Sequence, residues 1–293
     1  MIRLQAEMRN RRLILYIIIP ILLISGGWVL FNSLIRPHHY QLLFPYSVFR
    51  FRKIALTETR LGKDDRVQIL IPGGTSLVGT GTREAALNTP SFWIDQIPVT
   101  TAAYRKFVSQ TRSLAPRYRD EYSKYWQEKK YELLPVVFVS WGQAEDYCEY
   151  YGGHLPTEAQ WEKAARGPDG VILYWDDEQK AFDAANYDNF YGEKTPAGWL
   201  PKGKTVYGVL DMAGNVREWG LEWLTDEDQP LQTGDWQLLR DLKSPGKDIG
   251  RILKGGSFAD DVSHLRLFSR DAHVPNSPGV NRGFRCVYEA DSN

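Results

Sequence analysis

Five side chains able to hold a metal ion or move a proton fall within fourteen residues: Asp260, Asp261, His264, Asp271 and His273. Carboxylates and imidazoles this close together can ligate zinc or serve as an acid–base pair. Their spacing fits no metal motif, and Asp and His are common in loops, so solvated loop side chains are the default reading. Ser257, just upstream in Gly255-Gly256-Ser257, has the hydroxyl of a nucleophile, but no base is placed for it in the sequence. It reads better as a turn residue bonding the backbone. The cysteines, Cys148 and Cys286, are two in number. An even pair pairs as a disulfide in an oxidising compartment and stays as two buried thiols in a reducing one.

The chain that must position these groups has 293 residues and is 43% hydrophobic, enough for one large globular domain. Lys plus Arg and Asp plus Glu number 36 each, which gives no footprint for nucleic acid. Ten Trp, 16 Tyr and 12 Phe supply large core residues, with some left for contact surface. Residues 13–35 are apolar and uncharged over 23 positions. At 1.5 Å per residue they reach ~34 Å, enough to cross a ~30 Å hydrocarbon core. Arg3, Arg9, Arg11 and Arg12 precede the stretch and only Arg36 follows closely. The positive-inside rule therefore expects residues 1–12 in the cytoplasm and residues 54–293 outside it. An uncleaved single-pass anchor in a bacterial cytoplasmic membrane, with a periplasmic domain, is the expectation. A cleaved signal peptide has a shorter apolar core and a small-residue cleavage site, which this stretch lacks. Residues 36–53 mix aromatic and basic side chains, as a membrane interface or a crevice in a partner would favour. Trp28, Phe31, Tyr40, Phe44, Tyr46, Phe49 and Phe51 are the expected docking residues for bilayer and partner.

Beyond residue 54 short apolar runs, VQILIPGG and LPVVFVSW, read as strands punctuated by Gly and Pro. Thr100–Thr111 sets Tyr104, Phe107 and Val108 on one helical face. Trp141–Tyr151 does the same with Ala144, Tyr147, Cys148 and Tyr151. Thr157 with Gln160 forms a capping box for a third helix. Residues 167–208 and 225–250 read as loop.

Three blocks carry a resemblance: LPTEAQWEKAAR (Leu155–Arg166), GVLDMAGNVREW (Gly208–Trp219), and Leu253–Cys286 with its GGS and GFRC. Together with IPGGTSLVGT and FWIDQIPVTTAAYRKF, they resemble, in order and over roughly Val67–Tyr288, the formylglycine-generating enzyme (sulfatase-modifying factor) family. The resemblance implies an α+β, C-type-lectin-like, loop-rich fold, here preceded by one transmembrane helix. It also implies a Cys148–Cys286 disulfide. The family's oxidases hold copper on two cysteines after GGS, where soft thiolates suit Cu(I). The matching positions here are Asp260 and Leu265, so the resemblance implies a degenerate site at Ser257, Asp260 and Leu265, with no copper. It further implies a calcium loop formed by the carbonyls of Asp211, Gly214 and Val216 with the Glu218 carboxylate, oxygen ligands that suit a hard cation. A second calcium site would use Asn186, Tyr187 and Asp188.

The combined expectation is a non-catalytic accessory subunit, anchored in the membrane and docked on the periplasmic face of a larger complex, for example an electron-transfer or light-harvesting assembly. No nucleic acid and no small-molecule substrate is expected. Two alternatives stay open: a divergent oxidoreductase or maturation enzyme of the same family, and a peptide- or glycan-binding module with Trp199, Trp219, Trp223 and Trp236 lining a groove.

Overall fold

The computed structural model describes residues 58–80, 84–118, 120–175, 180–224 and 236–290, and the backbone of two strands before them. The chain divides into two compact units, Met1–Leu56 and Thr57–Asn293. In the first, β1 (His38–Gln41) pairs antiparallel with β2 (Arg52–Ala55). The expected membrane span and six of the seven expected docking residues, Trp28, Phe31, Phe44, Tyr46, Phe49 and Phe51, lie outside the described residues. Tyr40 lies on β1. Among the described residues no helix is long and apolar enough to cross a membrane.

The second unit is mixed α and β. Its strands are β3 (Thr59–Leu61), β4 (Val67–Ile71), β5 (Gly74–Val78), β6 (Ala85–Thr89) and β7 (Phe92–Asp95), then β8 (Arg217–Leu224), β9 (Gly250–Lys254), β10 (Asp271–His273), β11 (Arg282–Gly283) and β12 (Val287–Glu289). One sheet has the order β12-β7-β4-β3, antiparallel throughout, with Ile94 opposite both Ile69 and Val287. The other has the order β10-β9-β8-β11, in which the edge strand β11 runs parallel to β8. β5 and β6 form a separate hairpin.

The helices form where the capping and periodicity place them. α1 (Thr101–Thr111) is capped by Thr100 and buries Tyr104 and Phe107. A short α2 (Lys124–Gln127) follows. α3 (Trp141–Tyr150) and α4 (Glu158–Arg166) both start with complete capping boxes, Ser140 with Gln143 and Thr157 with Gln160. The apolar faces of α1 and α3 meet: Tyr104 and Tyr147 stack at 5.7 Å between ring centres, beside Phe284. The Cys148–Cys286 disulfide is fully buried there and ties α3 to the segment before β12.

Two readings are corrected. LPVVFVSW forms no strand: its N–H groups go to unrelated partners, Val136 to the Val99 carbonyl and Phe138 to that of Gly279. Phe138 has φ +60°, which breaks an extended run. The second expected loop contains a helix, α5 (Trp236–Asp241), whose Leu239 is buried.

Candidate functional site

β9 ends at Lys254 and the chain turns through Gly255 and Gly256, at φ +89° and +67°. A side chain on Gly255 would crowd the Met212 carbonyl and Trp161, and one on Gly256 would meet Leu265 at 2.9 Å. Both positions therefore require glycine. The turn seals Ser257 from solvent and aims its hydroxyl at Asp260, to which it donates at 2.7 Å. Asn281 donates to the same hydroxyl at 3.3 Å.

Arg217, the first residue of β8, closes the cluster. Its guanidinium forks onto Asp260, with Nε to Oδ2 at 2.9 Å and Nη2 to Oδ1 at 2.6 Å, and its Nη1 donates to Asp271. Arg217 and Asp260 are largely buried, with side chains 18% and 12% exposed. A bidentate pair in such a setting is strong and leaves neither group free for proton transfer. Leu265 is fully buried beneath the turn. The clustered residues thus divide. Asp260 and Asp271 converge on Arg217. Asp261 and His264 face solvent as a 3.1 Å pair; Asp261 accepts from the Ser263 hydroxyl and N–H, and its pKa is held down to about 2 by that hydroxyl first and then by His264. His273 sits half-buried, its pKa lowered by burial and then by Arg282. No group of three or more His, Cys, Asp or Glu able to hold a metal occurs among the described residues.

The two calcium-like loops lie directly on this turn. Gly214 N–H donates to the Gly255 carbonyl, while Asp188 and Asn189 N–H groups donate to Asp260 and Phe258 carbonyls. The oxygens of Glu218 are taken: Arg285 forks onto both at 2.7 Å, and Trp161 Nε1 donates to one at 2.8 Å. A carboxylate already matched to a buried guanidinium has no charge left for a second cation, so this loop does not fit calcium through Glu218. In the other loop Tyr187 is buried, and Asp188 faces solvent near Lys180 at 3.6 Å. Asn186 Oδ1 is buried without a hydrogen-bond partner.

Arg217 escaped the sequence reading. Its signal was a basic residue in GNVREW together with an acid at Asp260, but only the fold brings the two together across 43 positions. The groove of four tryptophans does not form either. Trp219 and Trp223 are core, Trp236 stacks on His154 at 4.1 Å, and Trp199 is 53% exposed.

Residues 54–290 match the sulfatase-modifying factor enzyme 1-like domain, and the chain belongs to that family. It is 34% identical over 175 residues to the formylglycine-generating enzyme of Streptomyces coelicolor, covering 54% of this chain and 53% of that one. It is 30% identical over 209 residues to the serine/threonine-protein kinase pkn1 of Chlamydia pneumoniae, covering 67% of this chain and 33% of the kinase. The chain therefore spans between a third and about half of the length of these curated relatives. Among solved structures, PvdO from Pseudomonas aeruginosa has the same fold, with a TM-score of 0.64 at 20% identity over 80% of this chain and 98% of that one.

Proposed function

We propose that this chain is a non-catalytic member of its family, anchored in a membrane by residues 13–35, whose folded domain docks on the extracytoplasmic face of a larger membrane protein complex. The observation that carries the reading is the closed cluster of Arg217, Asp260, Asp271 and Ser257, with Leu265 buried beside it, where the family's oxidases are expected to present two thiolates. Neither an arginine-paired aspartate nor a leucine can hold Cu(I) or pass an electron to oxygen. The buried disulfide supports an oxidising compartment, and the 23-residue apolar stretch supports the anchor.

Purification of the intact chain from its native membrane in mild detergent, followed by mass spectrometry, tests the proposal. Recovery in fixed ratio with the subunits of one membrane complex is the expected result. Recovery of the chain alone, or of copper-dependent oxygen consumption by the purified protein, refutes it.

A second reading, a module holding peptide or glycan, is supported by an aromatic run in which Phe190 and Trp199 are exposed and Phe182 and Tyr191 half-buried. Phe182 stacks on Phe190 at 3.9 Å, Phe190 meets Tyr191 at 4.8 Å, and Tyr191 meets Trp199 at 5.4 Å. Trp199→Ala separates the two readings: it abolishes retention on an immobilised glycan or peptide array under the second and leaves that retention at background under the first.

A further inference from the structure

The register of the edge strand sets two guanidinium groups side by side. Arg282 of β11 stands directly opposite Arg217 of β8. Like charges facing each other across a ladder repel unless something neutralises them. Arg217 is neutralised by Asp260 and Asp271. Arg282 is not. Its Nη1 donates to the Ser277 carbonyl, its Nε is buried with no acceptor, and no ion pair among the described residues includes it. Burial and then Arg217 lower its pKa, as befits a cation short of counter-charge. Asp271, whose charge also acts on Arg282, accepts from Arg217 and forms no ion pair with Arg282.

A second donor waits beside it. His273 Nδ1 is also buried with no partner at full hydrogen-bond geometry, and the Val274 backbone and Arg282 both act on this ring. Arg282, His273 and Asn281 are half-buried as residues, while Arg282 Nε and His273 Nδ1 are themselves covered, so an anion reaches them only by displacing the side chains over them. The Arg282 guanidinium lies against the backbone of Gly279, where a Cβ would come within 3.0 Å of its central carbon. A flat guanidinium held against glycine, with a free Nε edge and an imidazole nearby, matches the two-pronged recognition of a carboxylate or phosphate group.

We propose that Arg282 and His273, flanked by Arg217, form a binding site for an oxyanion, a carboxylate or a phosphate group borne by a ligand or partner. The anion satisfies the orphan Nε and supplies the counter-charge that Asp271 cannot give to both arginines. The site lies within the folded domain and is independent of the membrane reading above.

The full chain in detergent micelles is melted at constant ionic strength while chloride is replaced stepwise by inorganic phosphate or by acetate. The expected result is a saturable rise in melting temperature for the wild type with at least one of the two anions. Arg282→Gln should shift half-saturation upward by about 10-fold or more, since it removes a charge-assisted pair. Arg282→Lys, which keeps the charge and loses the fork, should fall between. A larger response to phosphate indicates a phosphorylated ligand, and a larger response to acetate an acidic side chain or chain terminus. Equal responses from wild type and Arg282→Gln, or no wild-type response beyond that to chloride, overturn the proposal. If Arg282→Gln does not fold, the comparison rests on Arg282→Lys and His273→Ala, and unchanged half-saturation in both overturns it as well.

Discussion

Replacing Glu222 with glutamine tests whether this fold keeps a carboxyl group protonated at neutral pH. Glu222 is 3% exposed, and its two oxygens accept from the Glu158 N–H at 2.8 and 2.9 Å. The Glu158 carboxylate itself is ionised: against the burial that opposes it, Lys254 and Arg270 hold its pKa below the ordinary value. Burial first, and that neighbouring negative charge second, push Glu222 up to about 8. The folded chain therefore keeps a proton that the unfolded chain, titrating near 4.5, has already released. Unfolding in that window releases the proton, so the stabilisation is complete below the unfolded value and is lost as pH rises through the folded one. At about 1.4 kcal/mol per pH unit, the wild type loses roughly 5 kcal/mol between these limits. Asp95, raised to about 6 by burial, has the same sign and titrates in both proteins, so the difference between them isolates Glu222. Glu222→Gln keeps an acceptor for the Glu158 N–H and cannot ionise. Chemical denaturation followed by tryptophan fluorescence, under non-reducing conditions across this range, should give profiles that are closest at the acid end and separate as pH rises, with the variant more stable than wild type at the alkaline end. Parallel pH profiles would refute the assignment of the proton to Glu222.

Three other outcomes are expected. Replacing Cys148 and Cys286 together by serine opens a link between residues 138 apart, and should cost about 5 kcal/mol in the chain-entropy account, read by denaturation of the purified chain. Asp260→Ala leaves the Arg217 fork unmatched and should lower stability by roughly 3 kcal/mol, whereas Asp260→Leu combined with Arg217→Met should recover most of it; thermal unfolding of the single and double variants decides. Because Arg285 and Trp161 already fill the Glu218 carboxylate, a chelator or added calcium should move the melting temperature by less than about 1 °C, and a larger saturable rise with calcium would contradict that occupancy.

What the sequence made legible is local, and what it hid is charge brought together from a distance. The capping box of α4, the apolar faces of α1 and α3 and the glycine turn before Ser257 are each written within a few consecutive residues, and each forms as expected; the Ser140–Gln143 box of α3 is equally local and went unread. α4 shows where such reading stops. TEAQWEKAAR looks like an ordinary amphipathic helix, with Glu158, Glu162, Lys163 and Arg166 on its wet side, yet all four are buried. Their partners come from elsewhere: Lys254 reaches Glu162 at 2.8 Å and Glu158 at 3.2 Å, Lys163 donates to the Gly74 carbonyl, and Glu222 accepts from the helix start. Spacing carries no trace of contacts separated by 64 to 96 positions. The same blindness hid the pairing of Arg217 with Asp260. Seen alone, the aspartate reads as the loss of a ligand. With the guanidinium beside it, it is half of a matched pair inside a largely buried turn. Each member of the cluster finds its partner within it, which is the arrangement the proposed non-catalytic role requires.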